Sequence, residues 1–127
     1  MNQNDLDEKD IARLLSIGRV AFGALMVLAP RRAARLWTGE SEESAISAMA
    51  VRGLGARDLA IGMGTLVALE DDGDVAGWLR AGMVSDAGDA LGVLSNFGKL
   101  RGLRPWALLA TSCTAVYAGM KAADGLS

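Results

Sequence analysis

Apolar residues run along this chain in four blocks separated by short polar links, and no stretch shows the strict apolar–polar alternation of a half-buried strand. The blocks are LLSIGRVAFGALMVLA (14–29, ended by Pro30), AISAMAVRGLGARDLAIGMGTLVAL (45–69), VAGWLRAGMVSDAGDALGVLSNF (75–97) and PWALLATSCTAVYAGM (105–120). Each has helical length, and short links between helices of similar length predict an up-down-up-down four-helix bundle. At 1.5 Å per residue, each helix spans roughly 30 Å, the thickness of a bilayer's hydrocarbon core. Asp5 or Asp7 is a possible cap for the first helix, Ser41 or Ser44 for the second, and Pro105 suits the first turn of the fourth. RRAARLW (31–37) has the pattern of a short interfacial helix, with arginines toward one side and Leu36 and Trp37 toward the other.

The division expected is an acidic, solvated tail over residues 1–10, followed by one four-helix domain over 11–124. With 127 residues, the chain is long enough for one core and hardly for two. A formal net charge of −2 gives no reason to expect nucleic-acid binding. There is no histidine, which excludes Ser-His-Asp and Cys-His catalysis. The single cysteine, Cys113, sits in an apolar run and is expected to be a small buried hydrophobe. No cofactor or metal motif is present: RGLGARD contains G-x-G but not the six-position dinucleotide fingerprint, and no strand precedes it.

Hydrophobic residues at 51% and a mean hydropathy of +0.26 fall between soluble and membrane values, so placement of charge decides more than its amount. The first link carries Arg31, Arg32 and Arg35, and the third Lys99, Arg101 and Arg104. The second carries Glu70, Asp71, Asp72 and Asp74 and no basic residue. In a four-helix meander the first and third links share one side, which the positive-inside rule assigns to the cytoplasm, leaving both termini outside. Trp37, Trp78 and Trp106 fall near predicted helix ends, where indole suits the headgroup level. Among 16 glycines, many lie inside the helical blocks, and each costs roughly 0.5–1 kcal/mol relative to alanine in a water-soluble helix. In lipid, small residues instead let helix backbones approach; Gly53, Gly55, Gly62, Gly88 and Gly92 are the expected packing positions, the last two in G-x-x-x-G spacing.

Seven charges interrupt the apolar blocks: Arg19, Arg52, Arg57, Asp58, Arg80, Asp86 and Asp89. An isolated charge at the centre of a spanning helix costs ~2.5–3.5 kcal/mol on insertion scales, so these must pair. Folding the second and third blocks into a hairpin about residues 71–72 sets Arg52 level with Asp89 and Arg57 level with Asp86, leaving Asp58 for Arg19 or Arg80. At 100° per residue, one flat interface does not hold both Arg52 and Arg57 head-on. One of them must reach around, turn toward the first helix, or snorkel. The cluster has two readings. It is either a polar clasp that fixes helix register, or a path or site for protons, ions or a polar ligand, with Asp86 and Asp89 sharing a proton or holding a cation.

The RGLGARDLAIG block, the WLRAGMVSDAGDAL block and the four-block hydropathy together resemble small bacterial four-helix membrane proteins of the DoxX-like group. The resemblance covers most of the chain after residue 10 and implies a multi-pass protein of the bacterial cell membrane. Some DoxX-like proteins are associated with membrane-bound oxidoreductases, but no catalytic residue carries over to this chain, which lacks histidine and paired cysteines. Three functional classes follow: a structural or accessory membrane subunit with lipid and possible homo-oligomer or complex partners, a small transporter using Asp86 and Asp89, and a soluble helical interaction domain.

Overall fold

The computed structural model describes residues 3–39 and 45–127. Among these there are five α-helices and no strand: α1 (Gln3–Leu28), α2 (Pro30–Thr38), α3 (Ala45–Glu70), α4 (Val75–Ser95) and α5 (Arg104–Gly125). A 3₁₀ turn at Phe97–Lys99 lies between α4 and α5. The fold is therefore all-α, with the four long helices where the apolar blocks stand and the short helix α2 over the arginine-rich link.

Two expectations at the N-terminus change. Residues 3–10 belong to α1 rather than to a separate tail, because the first helix continues N-terminally through the acidic segment. Asp5 and Asp7 accordingly lie within the helix rather than at its start. The proposed caps Ser41 and Ser44 lie outside the described residues, as does the Trp37 side chain. Where α4 begins, the cap is Asp74, whose Oδ1 accepts a hydrogen bond from the Gly77 amide at 2.8 Å. Pro30 and Pro105 occupy the first turns of α2 and α5, where a missing amide hydrogen is harmless.

The long helices form a ring in which α1 packs on α3, α3 on α4, α4 on α5 and α5 back on α1. The α1–α3 and α4–α5 interfaces are the extensive ones. Glycine sets the first. A Cβ on Gly23 would lie 2.7 Å from the Gly55 carbonyl oxygen, and one on Gly55 the same distance from the Gly23 oxygen. Further along, a Cβ on Gly62 would lie 2.8 Å from the Ser16 oxygen. Numbers rise on α1 as they fall on α3, so the pair is antiparallel. Of the three glycines in RGLGARDLAIG, Gly55 and Gly62 thus serve approach to α1. A Cβ added at Gly53, Gly88 or Gly92 would meet nothing within 4 Å among the described residues, so the G-x-x-x-G pair makes no close approach there.

The contiguous apolar core is small and sits at one end. It joins Ala12 of α1, Ala68 and Leu69 of α3, Val75, Ala76 and Leu79 of α4, and Ala122 and Ala123 of α5. The mid-bundle interior is polar: Ser16, Asp58, Thr65, Ser85 and Asp86 are all buried. Ser16 and Thr65 donate to the carbonyls four residues back, Ala12 at 2.7 Å and Ile61 at 2.8 Å, so they need no partner on another helix. Large apolar side chains instead point outward along the long helices, with Leu14 74% and Val84 75% exposed, and Leu91 and Tyr117 similarly placed. Cys113 is also exposed, which corrects the expectation of a buried thiol: it lies on the outward side of α5.

α1 is the one described helix long and apolar enough to cross a membrane by length and composition, over Asp7–Leu28 with mean hydropathy 1.8. Charged residues interrupt α3 at Arg52, Arg57 and Asp58, and α4 at Arg80, Asp86 and Asp89.

Candidate functional site

Three of the four long helices, α1, α3 and α4, send charged side chains into the middle of the bundle. From α1, Arg19 Nη1 donates to Asp58 Oδ1 on α3 at 3.3 Å. Its Nη2 donates to the Gly82 carbonyl on α4 at 3.2 Å and to Asp86 Oδ2. Arg57 on α3 grips Asp89 on α4 with both terminal nitrogens, Nη1 to Oδ1 at 3.2 Å and Nη2 to Oδ2 at 2.9 Å. Arg57 Nη2 also reaches its neighbour Asp58 Oδ1 at 3.3 Å. Asp58 therefore joins two arginines, and the five residues form one chain: Asp89, Arg57, Asp58, Arg19, Asp86.

Helix geometry explains this pairing. Side chains on an α-helix lean toward its N-terminus. Arg57 therefore leans away from the 71–74 turn and meets Asp89, one turn further along α4 than the Asp86 that equal depth predicts. Asp86 is left for Arg19. The α4 backbone helps, because Gly82 leaves room for the guanidinium: a Cβ there would lie 2.9 Å from Arg19 Nη2. Each aspartate of the Asp86/Asp89 pair thus has its own arginine, an arrangement unlike the shared proton or shared cation considered from the sequence.

The other two predicted members stand apart. Arg52 turns to α1, where its Nε donates to the Val27 carbonyl at 3.2 Å on the exposed side. Arg80 donates to Ser127 Oγ at 2.8 Å, also exposed. The network thus contains two arginines and three aspartates, not four against three. It is mostly shielded from solvent: Asp58 is 6% and Asp86 8% exposed. Fork-to-carboxylate contacts of this kind are the strong class of ion pair, because the planar guanidinium matches the carboxylate's two oxygens.

Beside the network lies a cavity of about 400 Å³ along the seam between α1 and α5. Leu15, Phe22, Leu36 and Leu108 give it apolar walls; Arg19, Asp58, Asp86 and Asp89 line it where it meets the network. Sequence reasoning missed this cavity. Leu15, Phe22 and Leu108 are ordinary apolar residues of a helical block, and only the packing of α5 against α1 shows that they face a gap. Among the described residues, no group of three His, Cys, Asp or Glu side chains is disposed to hold a metal ion.

The two ends of the bundle differ in charge. Arg104 Nη1 donates to the Arg35 carbonyl at 3.3 Å and the Leu36 carbonyl at 3.4 Å, so the first and third links meet at one end. The acidic 71–74 turn and the C-terminus, joined to α4 through Arg80 and Ser127, occupy the other. Trp78 stands in the first turn of α4 at the acidic end, its ring over Gly64. Trp106, in the first turn of α5 at the basic end, meets Phe97 edge to face at 5.1 Å. Comparison of the chain with protein-family models, with curated proteins and with solved structures finds no match.

Proposed function

We propose that this chain is a small multi-pass protein of the bacterial cell membrane, of structural or accessory type, whose long helices are held in register by the Arg19, Arg57, Asp58, Asp86 and Asp89 network. The observation that carries the reading is the inversion of polarity. Charges and hydroxyls lie inside the bundle, while Leu14, Val84, Leu91 and Tyr117 face outward. In water this arrangement leaves apolar area uncovered and puts desolvated charge in the core. In lipid it suits both sides, because apolar surface contacts the acyl chains and polar groups find partners only within the bundle.

Three further features support it. Both basic links share one end, as the positive-inside rule requires of cytoplasmic loops, so both termini face outward. Trp78 and Trp106 mark opposite ends of the bundle, at the positions of the two headgroup belts. The likeness of RGLGARDLAIG and WLRAGMVSDAGDAL to DoxX-like proteins points to the same class. The outward Gly88 and Gly92 offer a surface to a second copy or a complex partner.

Alkaline carbonate extraction of a bacterial membrane fraction tests the reading. The protein is expected in the pellet, and release into the supernatant sinks it in favour of a soluble helical interaction domain. A solute-handling role for the aspartates draws its support from the neighbouring cavity, which Asp58, Asp86 and Asp89 line.

A further inference from the structure

We infer that the cavity between α1 and α5 is a binding site for a lipophilic organic cation, a primary amine or ammonium with an aromatic or alkyl tail. Three observations meet there. The first is charge: the network holds three carboxylates and two guanidiniums, so it carries one negative charge without a counterpart. The second is acceptor capacity at the cavity wall. The arginines engage Asp58 through its Oδ1 and Asp86 through its Oδ2, which leaves one carboxylate oxygen of each outside the ion pairs. Both side chains line the cavity, and both residues are more than nine-tenths buried. The third is shape and lining: about 400 Å³ walled by Leu15, Phe22, Leu36 and Leu108 is within the range of small-molecule sites, which pair apolar walls with a few convergent polar groups.

An ammonium brings three donors and one positive charge, which matches the two carboxylate oxygens outside the ion pairs and the surplus charge. An anion meets the same surplus as repulsion. A neutral alcohol brings one donor and leaves the charge uncompensated. The tail then lies against the leucines and Phe22. The inference does not depend on what surrounds the bundle, since the cavity and its charge belong to the chain itself.

Calorimetric titration of the purified full chain with 4-phenylbutylamine, 4-phenylbutanol and 4-phenylbutyrate tests it, in detergent or in buffer according to how the protein extracts. A failure of the bilayer reading thus leaves this test intact. The amine is expected to bind, with the alcohol weaker by roughly tenfold or more, the worth of one charge-assisted hydrogen bond, and the acid not binding. Asp86→Asn should weaken the amine by a similar factor. Thr111→Trp, at an exposed position of α5 that lines the cavity, should abolish amine binding with helicity unchanged, which keeps the test decisive if Asp86→Asn does not fold. Equal binding of amine and alcohol, no binding of the amine, or binding undiminished in Thr111→Trp overturns the inference.

Discussion

Arg19 and Asp86 join α1 to α4 across the diagonal of the bundle, between helices that share little other contact. Neighbouring helices in the ring are fixed by glycine contacts and apolar packing, but a diagonal pair has only long side chains to hold it. Arg19 does this while also meeting Asp58 on α3, so a single guanidinium fixes three helices.

Removing Arg19 should therefore cost as much as a large core truncation. Arg19→Met leaves Asp58 with one arginine and Asp86 with none, and we expect a loss of about 3–5 kcal/mol, the range for breaking a buried ion pair from one side. Adding Asp86→Asn should recover much of it, because the orphaned charge goes too. Chemical unfolding of the two variants checks this. Equal stability of the single and double variants contradicts the clasp.

The two arginines of the sequence RGLGAR should part company. Arg57 is bidentate on Asp89, whereas Arg52 holds one exposed carbonyl. Arg52→Ala is expected within roughly 0.5 kcal/mol of the parent, as for a surface position. Arg57→Ala should be severely destabilising. Thermal unfolding of both variants side by side decides the point.

Glycine substitutions should split by location. Gly23→Ala and Gly55→Ala each place a Cβ against backbone across the α1–α3 interface, and both should destabilise and loosen it. Gly88→Ala and Gly92→Ala meet open space among the described residues and should leave the monomer no less stable. If the second pair instead lowers a measured oligomer fraction, the outward glycine face is an assembly surface.

Cys113 offers a test of surroundings without mutation. It is exposed on α5 between the basic and acidic ends. Within a bilayer it should resist a membrane-impermeant maleimide in intact vesicles and react once the protein is denatured in detergent. Rapid labelling in native vesicles argues for an aqueous face at that position.

The cap at Asp74 is a local prediction. Its Oδ1 holds the Gly77 amide at 2.8 Å, so Asp74→Ala should cost about 0.5–2 kcal/mol. Asp72, at φ 50°, marks the tight turn just before it, so Asp72→Gly should be tolerated or slightly stabilising. Circular dichroism melts of the two variants separate these opposite effects.

The number of the long helices, the short arginine-rich helix and the need for the internal charges to find partners were legible from the sequence, whereas the N-terminal extent of α1 was not. Apolar block length, proline position and the cost of burying charge are local or additive quantities, and a linear reading carries them. Which charges pair was not legible. The choice of Asp89 over Asp86 for Arg57, and of Asp86 for Arg19, depends on side-chain lean and on a diagonal that exists only once four helices have closed into a ring. The same closure turned Gly55 and Gly62 toward α1, left Gly88 and Gly92 facing outward, set Cys113 on the surface, and opened a cavity whose walls are unremarkable leucines. Along the chain each of these residues is one more member of an apolar helix; rotation about the helix axis, set by the neighbours, decides what it touches.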